Sequence, residues 1–319
     1  MKALTWHGGP RLEYGDRPAP DVGPGAVALT IALAGVCGSD LHPYRGHHGP
    51  RTPPLVLGHE AVGTLAGEDR RYVVFPIVSC GACPACLRGE ENLCATRGLI
   101  GLDRQGVFAE TVAVSPAALT PVPAGVPDEV AVLTEPFACA ASALRYAGAA
   151  PGQRVLVLGG GPIGLLTVHA CAVRGIEAIA VEPVASRREL ARELGAAQVA
   201  ASVDDLGRGE VDIAIDAVGI EPTWGAAVAR VRPGGSVTVV GLGQAEGVVA
   251  VGDMVRRGIT MRGHYAYTRA DFDAALATLA AHPPGLEWLK VLPLSEGAEA
   301  FRRLVEEPEG TVKALLVPA

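Results

Sequence analysis

The sequence predicts an α/β protein of two domains, a barrel-like antiparallel β domain and a doubly wound parallel sheet, and three observations carry that reading. At 319 residues the chain exceeds what one compact core usually holds. Alternating apolar and polar stretches between Pro and Gly, such as Val27 to Leu33, mark short antiparallel strands in its first part. Beyond Pro151-Gly152, buried apolar strands alternate with helical patterns, the rhythm of a parallel sheet covered on both faces. The β domain takes residues 1–147 and 269–319, and the parallel sheet takes 148–268.

Composition narrows the chemistry. The balance of 27 basic and 34 acidic residues leaves a formal charge of −7 with no block of like charges, so nucleic acid and anionic membrane are not expected partners. No apolar run approaches the roughly 18 residues of a membrane span, and the N-terminal stretch lacks a long apolar core, which implies a soluble, cytoplasmic protein. Seven cysteines are an odd number, and four of them crowd between Cys80 and Cys94. That pattern implies metal binding in a reducing compartment, not a disulfide framework.

Taken in order, the alternating strands of residues 1–34 lead into Gly35-Val-Cys-Gly-Ser-Asp-Leu-His42. Cys37, Ser39, Asp40 and His42 there offer a thiolate, a hydroxyl, a carboxylate and an imidazole. Gly58-His59-Glu60 adds a second imidazole and carboxylate, and together the two stretches form a candidate open zinc site. Catalytic zinc takes three N, S or O ligands and keeps one position for water or substrate. The intervening segment from Pro43 to Arg51 is too rich in Gly and Pro for a regular element. Tyr44, His47, His48 and Arg51 within it either line a polar pocket or are solvated.

Strand character returns at Tyr72 to Phe75 and is followed by Cys80, Cys83, Cys86 and Cys94, a lobe spanning about residues 78–97. Four thiolates at this spacing close a tetrahedral shell, the arrangement of a structural zinc. Strands resume between residues 106 and 123. Glu135, just before Pro136, either favours a helix N-terminus or supplies a third carboxylate to the metal. Cys139 and Cys171 fall in apolar helical stretches and are expected in the core.

Arg154 to Leu158 reads as a buried strand, and Gly159, Gly161, Pro162, Ile163 and Gly164 form a glycine-rich turn opening a helix. A second strand ends at Glu182, about 20 residues on, which is the context of a dinucleotide-binding fingerprint. Gly159 permits the turn, Gly161 the approach of a pyrophosphate, and Gly164 close packing of the helix. Further strands at Asp212 to Asp216 and Ser236 to Val240 and helices over Arg187 to Leu194 and from Thr223 complete the alternation. An amphipathic helix from Asp271 to Ala281 and a strand from Thr311 to Val317 return to the first domain.

With these residues in place, the chain resembles the zinc-dependent medium-chain dehydrogenases over nearly its whole length, most closely the polyol, glucose and threonine dehydrogenase branch. The resemblance implies a GroES-like catalytic domain joined to a Rossmann domain, with the active site in the cleft. It also implies a catalytic zinc on Cys37, His59 and a carboxylate from Glu60 or Glu135, and a structural zinc on the four-cysteine lobe. The expected reaction is oxidation of a small-molecule secondary alcohol or polyol with NAD. Ser39 and His42 would carry the proton, and Asp40 would orient His59. Glu182 favours NAD over NADP, while Arg187 and Arg188 in Ser-Arg-Arg could pair with a 2′-phosphate. The segment Gly63 to Val73 is shorter than its counterpart in the family. Relatives commonly pair their Rossmann sheets, so a homodimer or homotetramer is expected. A zinc-free quinone or enone reductase would share both domains, but it would not need Cys37, His59 and the cysteine lobe together. A non-catalytic zinc and nucleotide binder would be expected to have lost a ligand or a glycine.

Overall fold

Val27–Gly35, the nine-residue strand β3, is the rib of the first unit, following β1 (Lys2–Trp6) and β2 (Leu12–Asp16) in the chain. The computed structural model describes all residues except 48, 208, 308 and 319. Its first unit comprises Met1–Glu135 and Thr268–Ala319. After β3 come α1 (Gly38–Tyr44), β4 (Leu55–Val56), β5 (Glu60–Leu65), β6 (Arg71–Val74), β7 (Ile77–Val78), α2 (Pro84–Leu87) and β8 (Gly98–Leu99). Then follow β9 (Thr111–Val114), β10 (Leu119–Pro121), α3 (Asp128–Ala131) and α4 (Thr134–Ala147).

The second unit, Pro136–Tyr267, holds β11 (Arg154–Leu158), α5 (Pro162–Val173), β12 (Glu177–Val181), α6 (Ala185–Glu193) and β13 (Gln198–Ala200). It continues with β14 (Val211–Asp216), α7 (Glu221–Arg230), β15 (Val231–Val239), α8 (Val251–Arg257) and β16 (Thr260–Gly263). The chain then returns to the first unit as α9 (Arg269–Ala281), β17 (Leu289–Pro293), α10 (Gly297–Glu306) and β18 (Lys313–Val317).

In the first unit a sheet runs β10-β6-β5-β3-β18-β17, with β9 also on β3, and a three-stranded sheet runs β2-β1-β4. Apolar positions alternate along the strands because one face turns inward. They meet in a core that includes Trp6, Leu29, Phe108, Phe301 and Leu316, all fully buried. Helix α9 starts two residues earlier than its apolar pattern implies. Thr268 caps it, with the Thr268 hydroxyl accepting from the Asp271 N–H and Asp271 accepting from the Thr268 N–H, the reciprocal pairing of a capping box. The short passage between β5 and β6 closes as a hairpin with Gly67 at φ +78°. Arg71 then ties it to Asp128 at 2.5 Å.

In the second unit all six strands are parallel in the order β13-β12-β11-β14-β15-β16. Numbered within the sheet this is 3-2-1-4-5-6, the Rossmann order, whose crevice lies beyond the carboxyl ends of the central strands where the winding reverses. The join between units falls at Glu135/Pro136 and not at 147/148. Helix α4 packs within the second unit: the Phe137 ring lies 6.0 Å from His169, and the Ser142 hydroxyl is 2.8 Å from His264 Nε2. Among the described residues no helix is long and apolar enough to cross a membrane.

Candidate active site

Cys37 is the N-cap of α1, so the segment read as a turn is a short helix with the thiol at its mouth. Cys37 Sγ accepts from the Ser39 N–H at 3.5 Å, and Asp40 Oδ2 accepts from the Cys37 N–H at 3.0 Å. Fully buried Asp40 also reaches the second stretch: its Oδ1 accepts from the Gly58 N–H at 3.3 Å and lies 3.6 Å from His59 Nδ1. One carboxylate therefore ties both stretches together and lies beside Nδ1 of the His59 ring.

Gly58 turns the chain just before His59. It sits at φ +90°, and a Cβ there would come within 2.6 Å of the Phe108 ring. A strand continuing through residues 58–60 would send His59 and Glu60 to opposite faces. In the structure the strand begins only at Glu60, and Cys37, His59 and Glu60 each place one ligand atom within 4.8 Å of the others. Glu135 does not join that group; it is buried at the start of α4, and its charge still acts on His59.

Buried acidic side chains crowd the cluster. Burial opposes a proton on His59, yet Asp40, Cys37 and Glu135 outweigh it and hold the imidazole well above its ordinary pKa. Glu60 Oε1 is buried without a hydrogen-bond partner, an arrangement that costs stability unless something else satisfies the oxygen. A sulfur, a nitrogen and an oxygen donor gathered in this way fit a divalent zinc.

Glu60 Oε2 meets Lys313 Nζ at 2.5 Å, and Lys313 also donates to the Val36 carbonyl at 3.1 Å. Burial works against the charge on Lys313, but Glu60, Cys37 and Glu135 outweigh it and raise its pKa. Sequence reading missed Lys313; its only signal is a lysine leading the apolar run Ala-Leu-Leu-Val.

Ser39 and His42 share a face of α1 at helical spacing. Burial, then the charges of Arg51, Arg45 and His47, lower the His42 pKa, which keeps its ring neutral and able to accept a proton at neutral pH. The residues of the following loop, read as lining a polar pocket or as solvated, are placed individually. Tyr44 packs on Phe301 with ring centroids 5.9 Å apart, and buried Arg51 donates to the Ser39 carbonyl at 3.1 Å. His47 is exposed, and His48 lies outside the described residues.

The four-cysteine lobe forms a second cluster. Sγ separations are 3.9 Å for Cys80 and Cys86, 3.5 Å for Cys83 and Cys86, and 3.6 Å for Cys80 and Cys94. Thiolates about 2.3 Å from one zinc stand about 3.8 Å apart at tetrahedral geometry, so these sulfurs fit the ion and are too far apart for disulfides. Backbone N–H groups of Cys80 and Cys83 point at Cys94 and Cys80 sulfurs. The Cys80 N–H and Thr96 pull the Cys94 thiol down to about 6.

In the second unit, Gly159 takes φ +98° to turn the chain after β11, and a Cβ on Gly164 would stand 1.8 Å from the Gly159 carbonyl. Gly161 meets nothing within 4 Å, so the protein itself makes no demand on it. Pro162 and Ile163 open α5, whose first turn has no side-chain cap and leaves its N–H groups for an anion. Gly160, which sequence reading passed over, is needed too, since a Cβ there would lie 2.7 Å from Glu182 Cγ. Buried Glu182 accepts from the Gly160 N–H at 2.6 Å and from the Val184 N–H at 2.9 Å. Arg188 is committed to the carbonyls of Glu182 and Pro183, whereas Arg187 keeps a buried Nε without a partner. Asp216, also missed, ends β14 by accepting from Val218, Gly219 and Thr223.

Comparison with known proteins then settles the lineage. Residues 23–124 match the alcohol dehydrogenase GroES-like domain, and residues 162–281 match the zinc-binding dehydrogenase family. L-galactonate-5-dehydrogenase of Escherichia coli K12 is 31% identical over 290 residues, covering 85% of each chain. The chain belongs to the zinc-binding alcohol dehydrogenases. Solved structures of that family superpose along almost its full length. One is a protein named for a zinc-binding dehydrogenase, from Sinorhizobium meliloti 1021 and bound to NADP, with a TM-score of 0.90, 29% identity and 99% of both chains covered. Another is RspB, an alcohol dehydrogenase from Escherichia coli CFT073 complexed with NADH, with a TM-score of 0.90, 27% identity and 99% of both chains covered. The alcohol dehydrogenase fold is therefore that of a GroES-like unit and a Rossmann unit.

Proposed function

We propose that the protein oxidises a secondary alcohol of the polyol, sugar or hydroxy-acid class to a ketone, with NAD as hydride acceptor. The observation that carries this reading is the grouping of Cys37, His59 and Glu60 within 4.8 Å, beside a helix that presents Ser39 and His42. Cys37, His59 and Glu60 would hold a catalytic zinc, with Glu135 the alternate carboxylate, and Cys80, Cys83, Cys86 and Cys94 a structural one. Bound zinc would supply Lewis acidity to the substrate hydroxyl, and bound NAD would accept hydride from its carbon.

The chain's own residues do the rest. Ser39 takes the hydroxyl proton, and His42, neutral at physiological pH, relays it towards solvent. Asp40 fixes the His59 tautomer by facing Nδ1, which leaves the other ring nitrogen for the metal. Gly159 to Gly164 and the start of α5 receive the pyrophosphate. Glu182, with two N–H groups already on its carboxylate, keeps further lone pairs for the ribose hydroxyls and disfavours a 2′-phosphate. That two relatives of similar likeness carry different cofactors leaves Glu182 and Arg187 to decide between NAD and NADP in this chain.

The sugar-acid substrate in the name of the L-galactonate relative supports a polyhydroxylated substrate. Free thiols in the lobe support a reducing, cytoplasmic setting. Strand β16 at the edge of the Rossmann sheet, with exposed Val248, Val251 and Val255 nearby in the chain, supports pairing into a homodimer or homotetramer. The test is a panel of polyols, aldoses, sugar acids and hydroxy amino acids assayed by NADH formation on protein whose zinc content has been measured. Two zinc ions per chain and turnover of at least one class are expected; no NADH formation with any class by the zinc-replete protein would refute the reading.

A further inference from the structure

Lys313 is one of three lysines in the chain, and it is the one that is fully buried. Strand β3 lies between β5 and β18 in the sheet, with Gly35 opposite Glu60 on one side and opposite Leu315 on the other. Lys313 stands two residues from Leu315 and so shares its face. A side chain at position 35 would fill the space between the neighbouring strands; a Cβ there would stand 2.0 Å from Glu60 Oε2. Because residue 35 is glycine, the Glu60 carboxylate lies across β3 and meets the Lys313 ammonium at 2.5 Å.

This arrangement divides the two oxygens of Glu60. Oε2 is taken by Lys313, while Oε1 is buried and has no hydrogen-bond partner. A buried ion pair seldom stabilises a fold more than apolar residues of the same volume, so stability alone gives little reason for the pair. We propose that Lys313 is a positioning residue for the metal site: it holds Oε2, leaves Oε1 as the single oxygen Glu60 offers to the metal, and so competes with the metal for this carboxylate. The inference rests on the reading of Cys37, His59 and Glu60 as zinc ligands.

The test follows transfer of zinc from the holoenzyme to a chromogenic chelator, with Cys37→Ala marking the kinetic phase that belongs to the four-cysteine lobe. Lys313→Met frees the whole carboxylate for the metal and removes a cation from its neighbourhood, so zinc release from this site should slow. The change should be of the roughly 10–100-fold size that outer partners of metal ligands carry. Lys313→Arg should release zinc near the wild-type rate. Glu60→Gln alone should release zinc faster, and adding Lys313→Met to Glu60→Gln should slow release much less than it does with Glu60 intact, because only the through-space effect of the lost cation remains. Unchanged or faster release from Lys313→Met with Glu60 intact, or the same slowing in the Glu60→Gln background, would overturn the role of Lys313. Wild-type release from Glu60→Gln would instead overturn Glu60 as a ligand, and this inference with it. If Lys313→Met yields no folded protein, Lys313→Gln carries the same expectations.

Discussion

Replacing Glu182 by Ala tests how the Rossmann unit selects its cofactor. The carboxylate ends β12 almost fully buried and accepts the N–H groups of Gly160 and Val184 at 2.6 and 2.9 Å, which aims it into the glycine-rich turn. Each oxygen still has a lone pair, and a hydrogen bond from a ribose hydroxyl to a carboxylate contributes about 1.5–3 kcal/mol. Loss of one such bond lowers kcat/KM for NAD roughly 10- to 150-fold. The substitution also orphans the two backbone N–H groups, which disturbs the turn for both cofactors alike and makes the ratio the quantity to read. NADP gains from removal of a negative charge beside its 2′-phosphate, so the ratio of NADP to NAD efficiency should rise by about ten-fold or more. The assay is kcat/KM for both cofactors at fixed, saturating alcohol, in the wild type and in Glu182→Ala. A wild type that clearly prefers NADP, or a ratio unmoved by the substitution, would refute the reasoning and assign selectivity to Arg187, the nearby arginine with an unpartnered buried Nε.

Other expectations follow from the GroES-like unit. Cys37→Ala should abolish turnover and leave a folded protein with one zinc by elemental analysis, whereas Cys94→Ser should lower the melting temperature, because it breaks a closed shell of sulfurs. Ser39→Ala should slow the chemical step by about 10²–10⁴-fold in single-turnover measurements, and His42→Ala should do so less, with partial rescue at higher pH. Burial and then Arg51 depress the His42 pKa, so the acid limb of kcat against pH should lie below the ordinary histidine value of 6.5. Arg51→Met removes a positive charge, raises the pKa of His42 and should move that limb to higher pH. An acid limb identical in the variant would separate Arg51 from the relay.

Much of the Rossmann unit was legible because its signals are local. Strands β11 and β12, helix α5 and the glycines between them each follow from a run of apolar residues and a turn that only glycine permits. The four-cysteine lobe was equally plain, since its sulfurs lie close in the chain and short turns suffice to gather them. Boundaries were harder to read. Helix α9 begins at a Thr268 cap that the apolar pattern does not register, and α4 joins the second unit through Ser142 and Phe137, whose partners are far away in sequence.

Sequence by itself determined the kinds of donor at the candidate site, their order, and the presence of a dinucleotide fold, because residue chemistry and short-range spacing do not depend on packing. Only the tertiary structure decided which carboxylate stands with Cys37 and His59, since that turns on how stretches distant in the chain come together. It also brought in Lys313, 253 residues from Glu60 in sequence, and freed the space at Gly35 in which the two meet. Such choices arise where strands distant in the chain become neighbours across a sheet. There the fit of side chains across the sheet sets each contact, and no periodicity along the chain records it.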